Sequence, residues 1–126
     1  MRVDWSTIPA APGLRPGATR QWVAGEQVSL TRVVTAPDAT FDGRLHRHPH
    51  EQWLVVLAGR LRLRVDGDEF DAGAGDLVVF PSGCVHGAVG VGPEGATYYE
   101  WFAPARYDGL PGWVGRSPME WVEERA

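Results

Sequence analysis

All four histidines of this chain fall in two short segments, and their spacing is that of a metal site. The first segment is Leu45-His46-Arg47-His48-Pro49-His50-Glu51-Gln52, and the second is built around Gly75, Pro81, Gly83 and His86. Residues two apart on a strand point to the same face, so His46 and His48 share one. Pro49 biases His48 toward extended backbone, which supports that placement. After a turn at Pro49-His50 the next strand begins, and Gln52 can point back into the same interior. The glycines and proline of the second segment bring His86 back on an adjacent strand. Three imidazoles and one side-chain oxygen suit zinc, nickel, iron or manganese. The expectation is therefore one divalent transition metal held by His46, His48, Gln52 and His86, with zinc or nickel first. A lone histidine is usually structural or solvated; four confined to two such segments favour ligation. His50, at the turn, is expected to face solvent, with ligation its weaker alternative. Glu51 has the opposite parity to Gln52 and is expected outside. Cys84 shares the parity of His86 and is expected to be a buried, inert thiol.

The elements that must position these side chains are short strands. Gln21–Ala24 and Gln27–Val34, separated by Gly25-Glu26, predict a hairpin. The apolar run Trp53–Ala58 predicts a strand buried on both faces, ended by Gly59. Leu61, Leu63 and Val65 alternate with Arg62 and Arg64, the period of a half-buried strand. Asp66-Gly67 then supplies a tight turn. Arg60, Arg62 and Arg64 form a row that predicts a solvated face. Glu69–Ala72, Leu77–Phe80, Val85–Val91 and Thr97–Ala103 complete an all-β antiparallel sandwich or barrel. Residues 1–19, rich in proline and glycine, predict an irregular arm, with the barrel at 20–105 and a tail at 106–126. In the tail, Ser117-Pro118-Met119-Glu120 has the form of a capping box and predicts a short terminal helix with Met119 and Val122 turned inward.

The two histidine segments resemble the two motifs of the cupin family. His46-Arg47-His48, three residues, Gln52, six residues and Gly59 follow the first motif, with glutamine where many cupins carry glutamate. Gly75, Pro81, Gly83 and His86 follow the second without a gap. Thr40 and Gly90 replace a glycine and an asparagine of the family pattern, and neither position is a metal ligand in the family. The resemblance spans residues 20–105 and implies a cupin barrel of the double-stranded β-helix, or jelly-roll, type. Gln52 leaves the ion's charge uncompensated by its ligands, which favours Lewis-acid work over a high-valent iron centre. Glutamine at this position is similar to the pectin-degradation cupins, which open unsaturated uronates, and to the cupin polyketide cyclases. Glu100-Trp101-Phe102-Ala103-Pro104-Ala105-Arg106 resembles a stretch of the uronate-opening group. That resemblance implies Glu100 as proton carrier, Phe102 as substrate wall and Arg106 as a clamp for a substrate carboxylate. The alternative for the last is a structural Glu100–Arg106 ion pair.

Composition narrows the partners. The formal charge is −4, so no concentrated basic surface for nucleic acid is expected. One cysteine allows no intrachain disulfide. Neither a signal peptide nor a membrane span is visible, and a cytoplasmic protein is expected. The reading is a metal-dependent, non-oxidative enzyme for a small enolisable molecule, an unsaturated uronate or a polyketide. The alternatives are a cupin dioxygenase and a non-catalytic ligand-binding cupin. Resemblance further implies a homodimer.

Overall fold

The computed structural model describes residues 1–125. The strands are β1 (Ala11–Pro12), β2 (Ala18–Ala24), β3 (Ser29–Thr35), β4 (Arg44–Arg47), β5 (Glu51–Val65), β6 (Asp68–Gly73), β7 (Leu77–Phe80), β8 (His86–Ala103) and β9 (Glu120–Arg125). One 3-10 turn, Trp5–Thr7, precedes them. Antiparallel pairing runs β1-β2-β3-β8-β4-β9, and β5 pairs with β6, β7 and β8, curling the sheet on itself.

The expected β2–β3 hairpin forms, with the Gly25 amide donating to the Val28 carbonyl at 2.8 Å. Asp66 (φ 46°) and Gly67 (φ 91°) sit at positive φ in the β5–β6 turn, as a two-residue type I′ hairpin requires. The sequence ended a strand at Gly59; β5 bends there instead and runs on to Val65. Gly59 has φ +75°, and a Cβ on it would lie 1.9 Å from the Gly95 carbonyl oxygen, so the close crossing of β5 and β8 needs glycine. The two strands expected at 85–91 and 97–103 are one long strand, β8.

Burial alternates along β5. Leu54, Val56, Leu61 and Leu63 point into the core with Val78, Phe80 and Tyr98. The Trp53–Ala58 run is therefore not buried on both faces: Leu57 is 44% exposed. A strand with one solvated face is what an antiparallel sheet normally shows. Farther along, Arg62 faces out and pairs with Glu69 and Asp71 at 2.9 and 3.2 Å, as a solvated row should.

The C-terminal helix does not form. Ser117 Oγ does accept the Met119 amide at 3.1 Å, the bond a cap would make, but the chain then extends into β9 along β4. An edge strand with unpaired backbone groups recruits a partner, and an isolated helix of this length is marginal in water. Trp121 lands opposite His46 and packs edge-on against its ring at 5.5 Å, with the Arg44 guanidinium 4.0 Å over the indole. The N-terminal arm lies on the barrel: Trp5 donates to the Tyr99 hydroxyl at 3.2 Å, and Gln21 donates to the Trp5 and Ile8 carbonyls. Among the described residues no helix is long and apolar enough to cross a membrane.

Candidate metal centre

Antiparallel register sets His46 on β4 directly opposite His86 on β8. His48 follows the end of β4, and its carbonyl accepts the Gly83 amide at 2.9 Å, which ties the turn before His86 to the first histidine segment. Gln52, near the start of β5, is registered between Phe80 of β7 and Phe102 of β8. All four side chains are buried. One nitrogen from each of His46, His48 and His86 lies within 4.8 Å of the others.

Hydrogen bonding behind these rings decides what they present in front. His48 Nδ1 is 3.1 Å from the His50 carbonyl, and His86 Nδ1 is 3.0 Å from the Cys84 carbonyl. A carbonyl only accepts, so each Nδ1 carries the proton and each Nε2 is left as a lone pair. Gln52 Oε1 lies 3.0 Å from His48 Nε2 and 3.2 Å from His86 Nε2. Its amide is oriented by the opposite end, where Nε2 donates to Glu100 Oε2. Three acceptors thus converge with no donor between them. That arrangement repels itself unless a cation sits among the lone pairs, and the residues fit a divalent metal.

The imidazoles are also in the right protonation state. Burial, then the neighbouring His86 and His48, pushes His46 down to about 2. Burial, then His86, holds His48 at about 4. His86 is lowered mainly by burial. Neutral rings keep the lone pairs that a metal needs.

Glu100 and Phe102 share the inward parity expected of them, while Trp101 faces out and stacks on Trp53 at 6.2 Å. Glu100 keeps an accessible face, but that face belongs to an interior cavity of about 60 Å³ that His46, Gln52, His86, Phe102 and Arg106 also line. Burial raises its carboxyl, against the pull of Arg106, Arg15 and Arg20. Sequence reasoning missed its contact with Gln52: the amide is neutral, but a carboxylate stands one hydrogen bond behind it. Phe102 is 3% exposed, stacked on Trp22 at 5.9 Å and edge-on to His48 at 5.6 Å.

Arg106 is in the same wall, with a partner the sequence did not suggest. Its Nε and Nη2 donate to Asp108 Oδ1 and Oδ2 at 2.6 and 3.0 Å, and both side chains are 6% exposed. Ser117 Oγ adds a bond to Asp108 at 2.6 Å. The alternative ion pair with Glu100 is replaced by this one. His50 is a correction: it is 7% exposed, not solvent-facing, with its ring against His48 and Phe102. It lies outside the three-histidine group. Cys84 is buried, its thiol pushed up to about 11 by burial, and it is inert at neutral pH. Glu51 is exposed as expected and accepts from Trp53 Nε1. Arg15, Arg20 and Trp22 also line the cavity, and no sequence signal marks them, because a tryptophan or arginine in a strand or arm carries no motif.

Residues 31–102 match the family described as the cupin domain. The chain belongs to the cupin family. This cupin is similar to an RmlC-like cupin from Shewanella frigidimarina, at 24% identity and TM-score 0.72 over 86% of this chain and 94% of that one. It is also similar to KdgF from Halomonas sp., at 26% identity and TM-score 0.71 over 83% of this chain and 95% of that one. A curated relative, mannose-1-phosphate guanylyltransferase of Escherichia coli (strain K12), is 30% identical over 63 residues, which is 50% of this cupin but only 13% of the relative.

Proposed function

We propose that this cupin is a metal-dependent, non-oxidative enzyme that isomerises, opens or cyclises a small enolisable substrate, with an unsaturated uronate the leading class and a polyketide the second. The observation that carries the reading is the acceptor-only cluster of His48, His86 and Gln52, backed by Glu100 at the wall of a small cavity. Likeness to KdgF over most of both chains supports it, as do Glu100, Phe102 and Arg106 at the spacing described above. When bound, a divalent ion such as zinc or nickel supplies Lewis acidity toward a substrate oxygen.

The protein's own residues do the rest. Glu100 Oε2 is engaged by Gln52, so the proton would be held and moved at Oε1, whose neighbour is Thr31 Oγ1 at 3.5 Å. A carboxyl raised by burial is suited to that work near neutral pH. Phe102, backed by Trp22, walls the substrate and limits water. Arg106, fixed by Asp108, lends positive charge beside Phe102, its guanidinium 5.2 Å from that ring. The homodimer implied by family resemblance is proposed with it.

The test is to determine the metal of the purified protein and follow the loss of the substrate double bond of an unsaturated uronate with an oxygen electrode in place. Turnover without oxygen uptake is expected. Glu100→Gln, at saturating metal, should lower kcat about a hundredfold or more. Oxygen consumed in step with turnover would instead make it a dioxygenase, and binding without turnover a ligand-binding module.

A further inference from the structure

Arg20 is an arginine on the wrong side of its strand. On β2 it shares the inward parity of Ala18 and Trp22, both buried, and it is registered against core Val33 on β3. Guanidinium groups are rarely placed inside a barrel without a carboxylate to meet them. Arg20 feels the charges of Glu100 and Asp108 but touches neither: among the described residues it makes no ion pair, and its Nε is shielded from solvent with no hydrogen-bond partner. A buried donor left unmade is costly and calls for an explanation.

Its surroundings say what would satisfy it. The Arg20 guanidinium lies 5.1 Å over the Trp22 ring, a flat support that orients its donors without consuming them. It lines the same cavity as His46, Gln52, His86 and Glu100. Of the other two arginines there, Arg106 has its head committed to Asp108. Among the described residues Arg15 reaches only the Ala88 carbonyl, at 3.4 Å, with its guanidinium over Phe41. Glu100 gives one oxygen to Gln52, and its other lies 3.5 Å from the Thr31 hydroxyl. Once Arg106 and Asp108 cancel, two positive groups face one carboxyl, beside ligands that are all neutral. The cavity is built for an anion.

We infer that Arg20, assisted by Arg15, is the group that holds the carboxylate of a small organic acid in this cavity, so that the specificity for an anionic substrate lies on β2 rather than on Arg106. The inference rests on the proposed enzymatic reading only for calling that acid a substrate; the recognition itself is measured without turnover.

Pyruvate is the probe, with pyruvamide as its uncharged isostere, titrated by ligand-observed NMR against the full chain as purified and again after chelation, metal content being measured each time. Pyruvate is expected to bind in both states, and pyruvamide at least tenfold more weakly. Arg20→Gln should weaken pyruvate binding at least tenfold with metal content unchanged, and Arg20→Lys should recover part of the loss. Near-UV circular dichroism of the tryptophans confirms that each variant is folded, and the lysine variant stands in if the glutamine variant is not. Equal binding of pyruvamide, or pyruvate binding that disappears with the metal yet ignores Arg20, would overturn the inference. Loss of turnover or of metal with the Arg20 effect intact would instead count against the enzymatic reading alone.

Discussion

At the scale of single residues, three of the four candidate ligands are told which way to face. The His50 and Cys84 carbonyls fix two imidazoles, and Glu100 fixes the amide of Gln52. Protonation of these rings has a consequence for stability. The folded values of His46 and His48, about 2 and about 4, lie below the ordinary 6.5 of an unfolded imidazole. Between these values the unfolded chain binds protons that the folded chain refuses, so stability is full above about 6.5 and declines as pH falls toward 4 and then 2. For the metal-free protein the urea midpoint should drop steadily from about pH 7 to about pH 4, and His46→Leu should flatten that slope. A slope unchanged in the variant would mean that His46 is protonated alike in both states. The ligands were legible because their spacing is local. The Gln52–Glu100 bond was not, since 48 residues separate its ends and neither residue announces the other.

At the scale of elements, the tail shows how one sequence signal can serve a different structure. Ser117, read as a helix cap, makes the local bond expected of it and spends its hydroxyl proton on Asp108, so the polar signal was real while the helix was not. What decided between helix and strand was the open edge of β4, which nothing in residues 117–125 reveals. Asp108 closes the turn that follows β8. Burial opposes its charge, but the hydrogen bonds from Arg106 and Ser117 hold its carboxyl down at about 2. With both side chains 6% exposed, Asp108→Ala strands the Arg106 cation, and a loss of about 3 to 5 kcal/mol in urea unfolding is expected. Ser117→Ala, which removes the bonds to Asp108 and from the Met119 amide but leaves the pair, should cost about 1 to 2 kcal/mol. Equal losses in the two variants would mean that the ion pair is not what secures the segment.

Over the whole molecule, the outer surface of β5 changes character along its length. Its second half carries Arg60 and Arg62, the latter paired with Glu69 and Asp71, while its first half joins β7 and β8 in an apolar face with Leu57, Leu77 and Val79 at 44%, 53% and 40% exposure. Contiguous exposed apolar surface of this kind favours association. For the proposed homodimer, light scattering should return twice the 13.8 kDa of the chain, and Leu77→Arg should return the monomer. A wild-type monomer at assay concentration would end that proposal. The barrel itself was readable from its turns and alternation, but its closure was not, because β8 borders three strands from distant parts of the chain. That closure also sets an order of events in time. Gln52 and His86 are 34 residues apart and meet only once β8 lies between β4 and β5. Bringing distant segments together is the slow part of making a β fold. A metal ion held by all four of these side chains would therefore be captured late, after the chain has committed to its topology, and its arrival would mark the end of folding rather than the start.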